Sequence, residues 1–300
     1  NSQNNVTLQI ISLLFRINMT IGNKKIGFMQ GRLSEIIGGK IQAFPWNEWK
    51  SEFKKASEID LSIMEWTLDH QNLSNNPIMT SHGRKIINEL SSRYNLLIPS
   101  LTGDCFMQAP FWKTTPSKAQ NLLSDFDSIL RSSREAGIKM VLIPLVDNGA
   151  INNKKEEDFL YSKCIEFEDF LKNNNMSVIF ESDYSPIKLE KFIDRFPLDQ
   201  FGINYDIGNS AALGFDPSEE FKAYGASILN IHVKDRLFKG STVPLGEGSA
   251  NFHKVFEHLH EIDYQGNFIL QTARSNNDDH LGVLKKYKEM TLQWIIESGI

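Results

Sequence analysis

The chain has 300 residues, 41% of them hydrophobic, enough to bury one barrel-sized core or two smaller ones. Its formal net charge of -5, with both signs mixed, argues against a nucleic-acid binder that relies on a basic surface. Two cysteines, Cys105 and Cys164, make no disulfide framework, and no apolar run approaches the roughly 20 residues of a membrane helix, so the chain reads as soluble and cytoplasmic.

Residues 1–22 stand apart. Leu8 to Phe15 is apolar, but no Lys or Arg precedes it and no small-residue cleavage site follows, which argues against a signal peptide. Met19 would serve as an initiator. The stretch is therefore read as a disordered or added N-terminal extension, with an extra helix under the fold as the rival reading, and a single domain spans 23–300.

From Ile26 onward, short apolar runs alternate with segments of helical period. Ile26 to Met29 is the first strand, closing on Gln30, Gly31 and Arg32, and Trp49, Phe53, Ala56 and Ile59 then form one apolar stripe. The second strand, Leu61 to Met64, ends at Glu65 and Trp66; a helix from Ile78 to Tyr94 leads to strand three, Leu96 to Leu101, which ends near Asp104. Thr115-Pro116 predicts a hydroxyl-capped helix start, and that helix closes at Gly137. Strand four is Met140 to Ile143, followed by one helix from Glu156 to Leu171; strand five, Val178 to Phe180, ends at Glu181, and Ser185-Pro186 starts another helix. Strand six, Phe201 to Tyr205, ends at Asp206, and Asp216-Pro217 opens a helix as cap and proline. Strand seven, from Leu229, ends in His232, Lys234, Asp235 and Arg236; strand eight, Asn267 to Leu270, ends at Gln271 before a final helix.

Eight strand–helix units in alternation predict an α/β fold, a (β/α)₈ TIM barrel. An open doubly wound sheet would show a Gly-rich phosphate loop after its first strand, and there is none. In such a barrel Glu181, Asp206, His232 and Gln271 converge on the top face from four successive strands. Two carboxylates, an imidazole and an amide oxygen make a nest for a divalent cation, Mn²⁺, Mg²⁺ or Zn²⁺, with positions left for substrate oxygens.

The most specific pieces of sequence are MQGRLS (Met29 to Ser34), FES (Phe180 to Ser182), YDIGN (Tyr205 to Asn209), IHVKD (Ile231 to Asp235) and PLGEG (Pro244 to Gly248). On these the chain resembles the xylose isomerase-like TIM barrels, the sugar phosphate isomerase/epimerase group that also includes endonuclease IV relatives. The resemblance implies metal ligands Glu, Asp, His and Glu on the last four strands. Glu181, Asp206 and His232 match them, and Asn209 stands where many members place a substrate-binding His. The fourth position departs: Gln271 replaces Glu. Its carbonyl can ligate a metal but cannot take up a proton.

In the family, two Glu residues act on opposite faces of an enediolate. With one of them lost, the resemblance implies one-base chemistry: a divalent cation acidifies the carbinol C–H and Glu181 removes and returns the proton on one face. The expected function is a metal-dependent isomerase or epimerase-like enzyme acting on a small sugar, sugar phosphate or polyol derivative, with a homodimer as the candidate assembly. The alternative is a catalytically impaired sugar-binding homologue, with a lyase or dehydratase and an apurinic endonuclease relative ranked behind it.

Other residues carry subsidiary expectations. Lys234, pointing with His232 by strand alternation, and Arg236 are candidates for a substrate phosphate or carboxylate. Glu65 and Asp104 are candidates for sugar hydroxyls, and Arg32 for an anion or a loop salt bridge. Gly246 to Gly248 reads as a mobile loop over the site. His253, His258 and His260 read as solvent-side, His70 and His82 lack partner spacing, and neither cysteine has an activating neighbour.

Overall fold

A computed structural model describes residues 25–300, so the extension 1–22 lies outside the described residues. Seven parallel strands come first: β1 (Ile26–Met29), β2 (Ile63–Thr67), β3 (Leu97–Thr102), β4 (Met140–Leu145), β5 (Ser177–Ser182), β6 (Phe201–Asp206) and β7 (Ile228–Val233). A small antiparallel hairpin, β8 (Asp235–Arg236) with β9 (Thr242–Val243), precedes the last barrel strand, β10 (Asn267–Leu270). Each barrel strand pairs with its neighbour in sequence, and β10 closes on β1 with Phe268 opposite Ile26. The fold is a (β/α)₈ barrel.

Around it lie α1 (Ser51–Glu58), α2 (Ser81–Tyr94), α3 (Asp104–Gln108), α4 (Pro116–Glu135), α5 (Lys154–Ile165), α6 (Glu168–Asn174), α7 (Pro186–Ile193), α8 (Ile207–Leu213), α9 (Pro217–Tyr224), α10 (Phe252–Glu261) and α11 (His280–Ser298). Among the described residues no helix is long and apolar enough to cross a membrane. Strand alternation sorts the side chains. Trp66 turns outward, packs on Phe44 and Trp49, and donates its indole N–H to Asn76, while its neighbour Glu65 turns into the barrel. Phe180 likewise packs outward on Phe192 and Phe196 beside the inward Glu181. Each such fully buried aromatic stabilises the barrel–helix interface by about 1.5–3 kcal/mol.

Local structure departs from the sequence expectations at identifiable places. Strand β2 begins at Ile63 and runs on through Thr67. The expected Ile78–Tyr94 helix breaks at extended Thr80, whose hydroxyl accepts from Gly83 N and caps α2. The expected Glu156–Leu171 helix is two helices, because the chain turns at Phe167 to set that ring 4.9 Å from Phe126. Pro116 and Pro186 do open helices, but the hydroxyls of Thr115 and Ser185 make no cap. Asp216 does cap, accepting from Ser218 N. The short helices α3 and α8 were not expected; α8 starts because Asp206 accepts from Asn209 N immediately after β6.

Candidate metal and substrate site

The upper half of the barrel interior is polar. Asn204 and Asn230 lie two residues before Asp206 and His232, so the strand period puts them on the same inward face, one layer lower. Asn230 donates its amide to Asn204 Oδ1 at 2.9 Å and to Glu65 Oε2 at 2.9 Å, and Asn204 donates to Glu181 Oε2 at 2.9 Å. Ser100 gives Glu65 Oε2 a further donor at 2.7 Å. His232 Nε2 meets Glu65 Oε1 at 2.8 Å, which turns the other ring nitrogen, Nδ1, toward Glu181 and Asp206.

Glu181, Asp206 and His232 thereby bring one ligand atom each within 4.8 Å of one another, all three residues buried. Asp206 uses Oδ1 for the α8 cap and keeps Oδ2 for the nest. His232 Nδ1 lies 3.2 Å from Glu181 Oε2 and 4.0 Å from Asp206 Oδ2, yet it is buried without a hydrogen bond. A buried ring nitrogen facing two carboxylates, its partner nitrogen fixed from behind, is a donor set that fits a divalent cation. Burial disfavours the imidazolium of His232, but Glu65, with Glu181 opposite, more than offsets this and holds its pKa up at about 10. A cation bound there would displace a proton.

Gln271 joins this rim through Lys234. The Lys234 ammonium sits 2.7 Å from Asp206 Oδ2 and donates to Gln271 Oε1 at 3.1 Å. Gln271 Nε2 donates to Gln42 Oε1 at 3.0 Å, and Gln42 Nε2 donates to Asp104 Oδ2 at 2.7 Å. Burial, with repulsion from Asp69 and Glu181, pushes the Asp104 carboxyl up to about 7 against the Gln42 hydrogen bond. Asn209 donates to Glu181 Oε1 at 2.6 Å and accepts from Arg236 Nη1 at 2.8 Å. The rest of the Arg236 guanidinium closes the hairpin on Gly240 O.

Four expectations are corrected. Glu65 is fully buried beneath His232 with both oxygens engaged, so it braces that imidazole and has no oxygen left for a sugar hydroxyl. Arg32 forms no loop salt bridge among the described residues; its donors go to Thr272 O, Ile41 O and Gln42 Oε1. The Gly246–Gly248 loop is tied down: Gly246 N, Gly248 N and Ala250 N all donate to the buried carboxylate of Asp235, and a Cβ on Gly248 would stand 2.1 Å from Asp235 Oδ1. His258 is not solvent-side, since it stacks on Phe221 and bonds Ser218 and Glu261, whereas His253 and His260 are exposed. His70 and His82 are exposed, and burial pushes both cysteine thiols up. Sequence reading missed Asn204, Asn230, Ser100 and Gln42. The first three were detectable as polar residues inside otherwise apolar strands; Gln42 lies in a loop and carried no signal.

The xylose isomerase-like TIM barrel family model matches residues 53–291. The chain belongs to that family. SgbU of Haemophilus influenzae, a provisionally named L-ribulose-5-phosphate 3-epimerase, is 22% identical over 283 residues, covering 88% of this chain and 98% of that protein. SgbU of Escherichia coli, named in the same provisional way, is 32% identical over only 91 residues, 28% of this chain and 32% of that protein. Among solved structures, a xylose isomerase domain protein from Planctomyces limnophilus superposes with a TM-score of 0.71 at 13% identity, covering 92% of this chain and 98% of that one. IolI, solved with a zinc atom, gives a TM-score of 0.71 at 14% identity over 90% of this chain and 98% of that one. These structures share the fold.

Proposed function

We propose that this chain is a metal-dependent isomerase or epimerase-like enzyme acting on a small sugar or sugar phosphate. The observation that carries the reading is the buried Glu181–Asp206–His232 nest, with Nδ1 of His232 aimed between two carboxylates and fixed from behind by Glu65. The names of the SgbU relatives and the zinc in IolI support it. Glu181, Asp206 and His232 would hold the cation, with Gln271 Oε1 as the fourth donor. When bound, Mn²⁺, Mg²⁺ or Zn²⁺ polarises a substrate carbonyl and stabilises the charge that develops on its oxygen.

The chain's own residues supply the proton transfer. Asn204 and Asn209 each hold one oxygen of Glu181, which fixes the carboxylate as the single base beside the nest. Gln271 takes up no proton, so one-face transfer, aldose–ketose isomerisation, is favoured over inversion of a carbinol centre. The histidine-rich trinuclear zinc site of an apurinic endonuclease has no counterpart: among the described residues His232 is the one histidine in a metal-competent group.

The test is deuterium wash-in. The Mn²⁺-loaded protein should exchange a C–H of a pentulose 5-phosphate or free ketose with solvent, and Glu181→Gln should abolish this. A protein that binds Mn²⁺ and sugar without exchange is instead the impaired sugar-binding homologue. Full exchange in Glu181→Gln refutes the assignment of the base.

A further inference from the structure

We propose that Asp104 carries a proton between two oxygens of the substrate, while Glu181 carries one between two carbons. The role rests on the isomerase reading of the nest. Converting a ketose to an aldose shifts two protons, one from C1 to C2 and one from the C1 hydroxyl to the C2 oxygen. Glu181 is the base for the first. Asp206 and His232 are committed to the cation and Gln271 takes up no proton, so the second transfer needs another group.

Asp104 stands on the wall that faces the nest. The nest occupies the ends of β5, β6, β7 and β10, and in the cyclic strand order β3, which leads into Asp104, lies directly across the barrel from β7. Cys105 N donates to Leu68 O, which ties the start of α3 to the loop after β2. Asp104 is 7% exposed, Gln42 Nε2 holds its Oδ2 at 2.7 Å, and Gln42 is itself fixed by Gln271 at 3.0 Å. Oδ1 has no hydrogen-bond partner among the described residues. Other carboxylates around the mouth are already spent or wet. Asp69 accepts from Phe44 N and Gln108 Nε2, and Asp235 from three backbone N–H groups, while Asp147 and Asp183 are exposed.

The chemistry balances with these two carboxyl groups alone. The Asp104 carboxyl gives its proton to the C2 oxygen as Glu181 removes the C1 proton, which leaves an enediol. The Asp104 carboxylate then takes the proton of the C1 hydroxyl as the C1 carbonyl forms and Glu181 returns its proton to C2. Both residues end as they began, and nothing is oxidised or reduced. Burial outweighs the hydrogen bond from Gln42, and with Asp69 and Glu181 repelling and Arg32 attracting, the Asp104 carboxyl stands at about 7. Near neutral pH such a group both gives and takes a proton.

Two rates read side by side test the role: deuterium wash-in at carbon and aldose formation, on the Mn²⁺-loaded full chain with L-ribulose 5-phosphate, D-ribulose 5-phosphate and D-fructose. Asp104→Asn, whose amide oxygen still accepts from Gln42, should lose aldose formation by about 100-fold or more while wash-in falls less than about fivefold. A residue that only supports the fold would lower both rates together. Equal loss of both, loss of neither, or a wild type that exchanges without forming aldose overturns the role of Asp104 and leaves the nest standing. A wild type that neither exchanges nor converts overturns the isomerase reading and this role with it. If Asp104→Asn loses its native circular dichroism, Asp104→Ser decides by the same two rates. Carboxyl ¹³C spectra of the metal-free protein give a reading without substrate: the resonance that Asp104→Asn removes should titrate at about 7, and a midpoint at the ordinary 3.8 overturns the proposal.

Discussion

Replacing Glu65 by Gln alters one atom, and the structure says what that atom controls. Glu65 Oε2 accepts from Ser100 and Asn230, and Oε1 faces His232 Nε2. A Gln side chain has one acceptor and one donor end. With its oxygen toward Ser100 and Asn230, its NH₂ meets His232 Nε2, which must then present a lone pair and place its proton on Nδ1, the atom aimed at the nest. The opposite orientation sets the new NH₂ against the Asn230 amide, which cannot flip without losing Asn204 Oδ1. The first choice puts a proton on the ligand nitrogen, and the second keeps the metal-ligating tautomer only at the cost of the Asn230 contact. Loss of such a supporting partner costs 10- to 100-fold in metal affinity, about 1.4–2.7 kcal/mol. Mn²⁺ titration calorimetry reads the affinity, and ¹⁵N spectra of the metal-free protein, recorded at a pH where the ring is neutral, read the His232 tautomer. Wild-type affinity in Glu65→Gln, with Nε2 still protonated, would refute the reasoning.

Burial of Glu52 gives a pH signature: it pushes the carboxyl up from 4.5 to about 7 despite the hydrogen bonds from Gly31 and Leu33. Between those values the folded chain holds a proton that the unfolded chain has lost, so stability falls as pH rises from about 4.5 to about 7. Glu52→Gln should therefore be more stable by about 1–3 kcal/mol at pH 8 and little changed at pH 4.5 in urea unfolding; equal effects at both pH values would contradict this. Gln271→Glu should raise Mn²⁺ affinity about tenfold, yet cost the metal-free protein about 1–3 kcal/mol because Gln42 Oε1 loses one of its two donors and meets a carboxylate oxygen instead; unchanged affinity would remove Gln271 from the proposed ligands. Gly248→Ala drives a Cβ onto Asp235 Oδ1 and should lower thermal stability by about 1–3 kcal/mol, and a neutral result would mean the loop is not held there.

The barrel was legible because each strand is a short apolar run bounded by a helical stripe, and because parallel strands buried on both faces need nothing subtler. Glu181, Asp206 and His232 were legible as chemistry arriving at strand ends. What escaped was anything set by contact between distant segments. Glu65 looked like another strand-end acid, and only the three-dimensional register places it under His232 with Ser100 and Asn230 on its far oxygen. The helix after Asp206 escaped because its cap is also a candidate ligand, and a strand-end reading assigned that side chain one role. Phe167 broke a helix for a ring contact that no periodicity encodes.

Gln271 is best understood from the chain of hydrogen bonds it completes. Lys234 can only donate, so Gln271 must turn Oε1 toward it and Nε2 toward Gln42. Gln42 must then present Oε1, an orientation that Arg32 Nη2 reinforces from the side and that leaves Nε2 for Asp104. Every link from Asp206 through Lys234, Gln271 and Gln42 to Asp104 has one donor and one acceptor, and the sense of each is forced by its neighbours. A glutamate at 271 would satisfy Lys234 but put a second acceptor against Gln42 Oε1, and reversing Gln42 would then require Asp104 to carry a proton. The amide is thus the side chain that both accepts from Lys234 and ties the loop containing Gln42 across the barrel mouth.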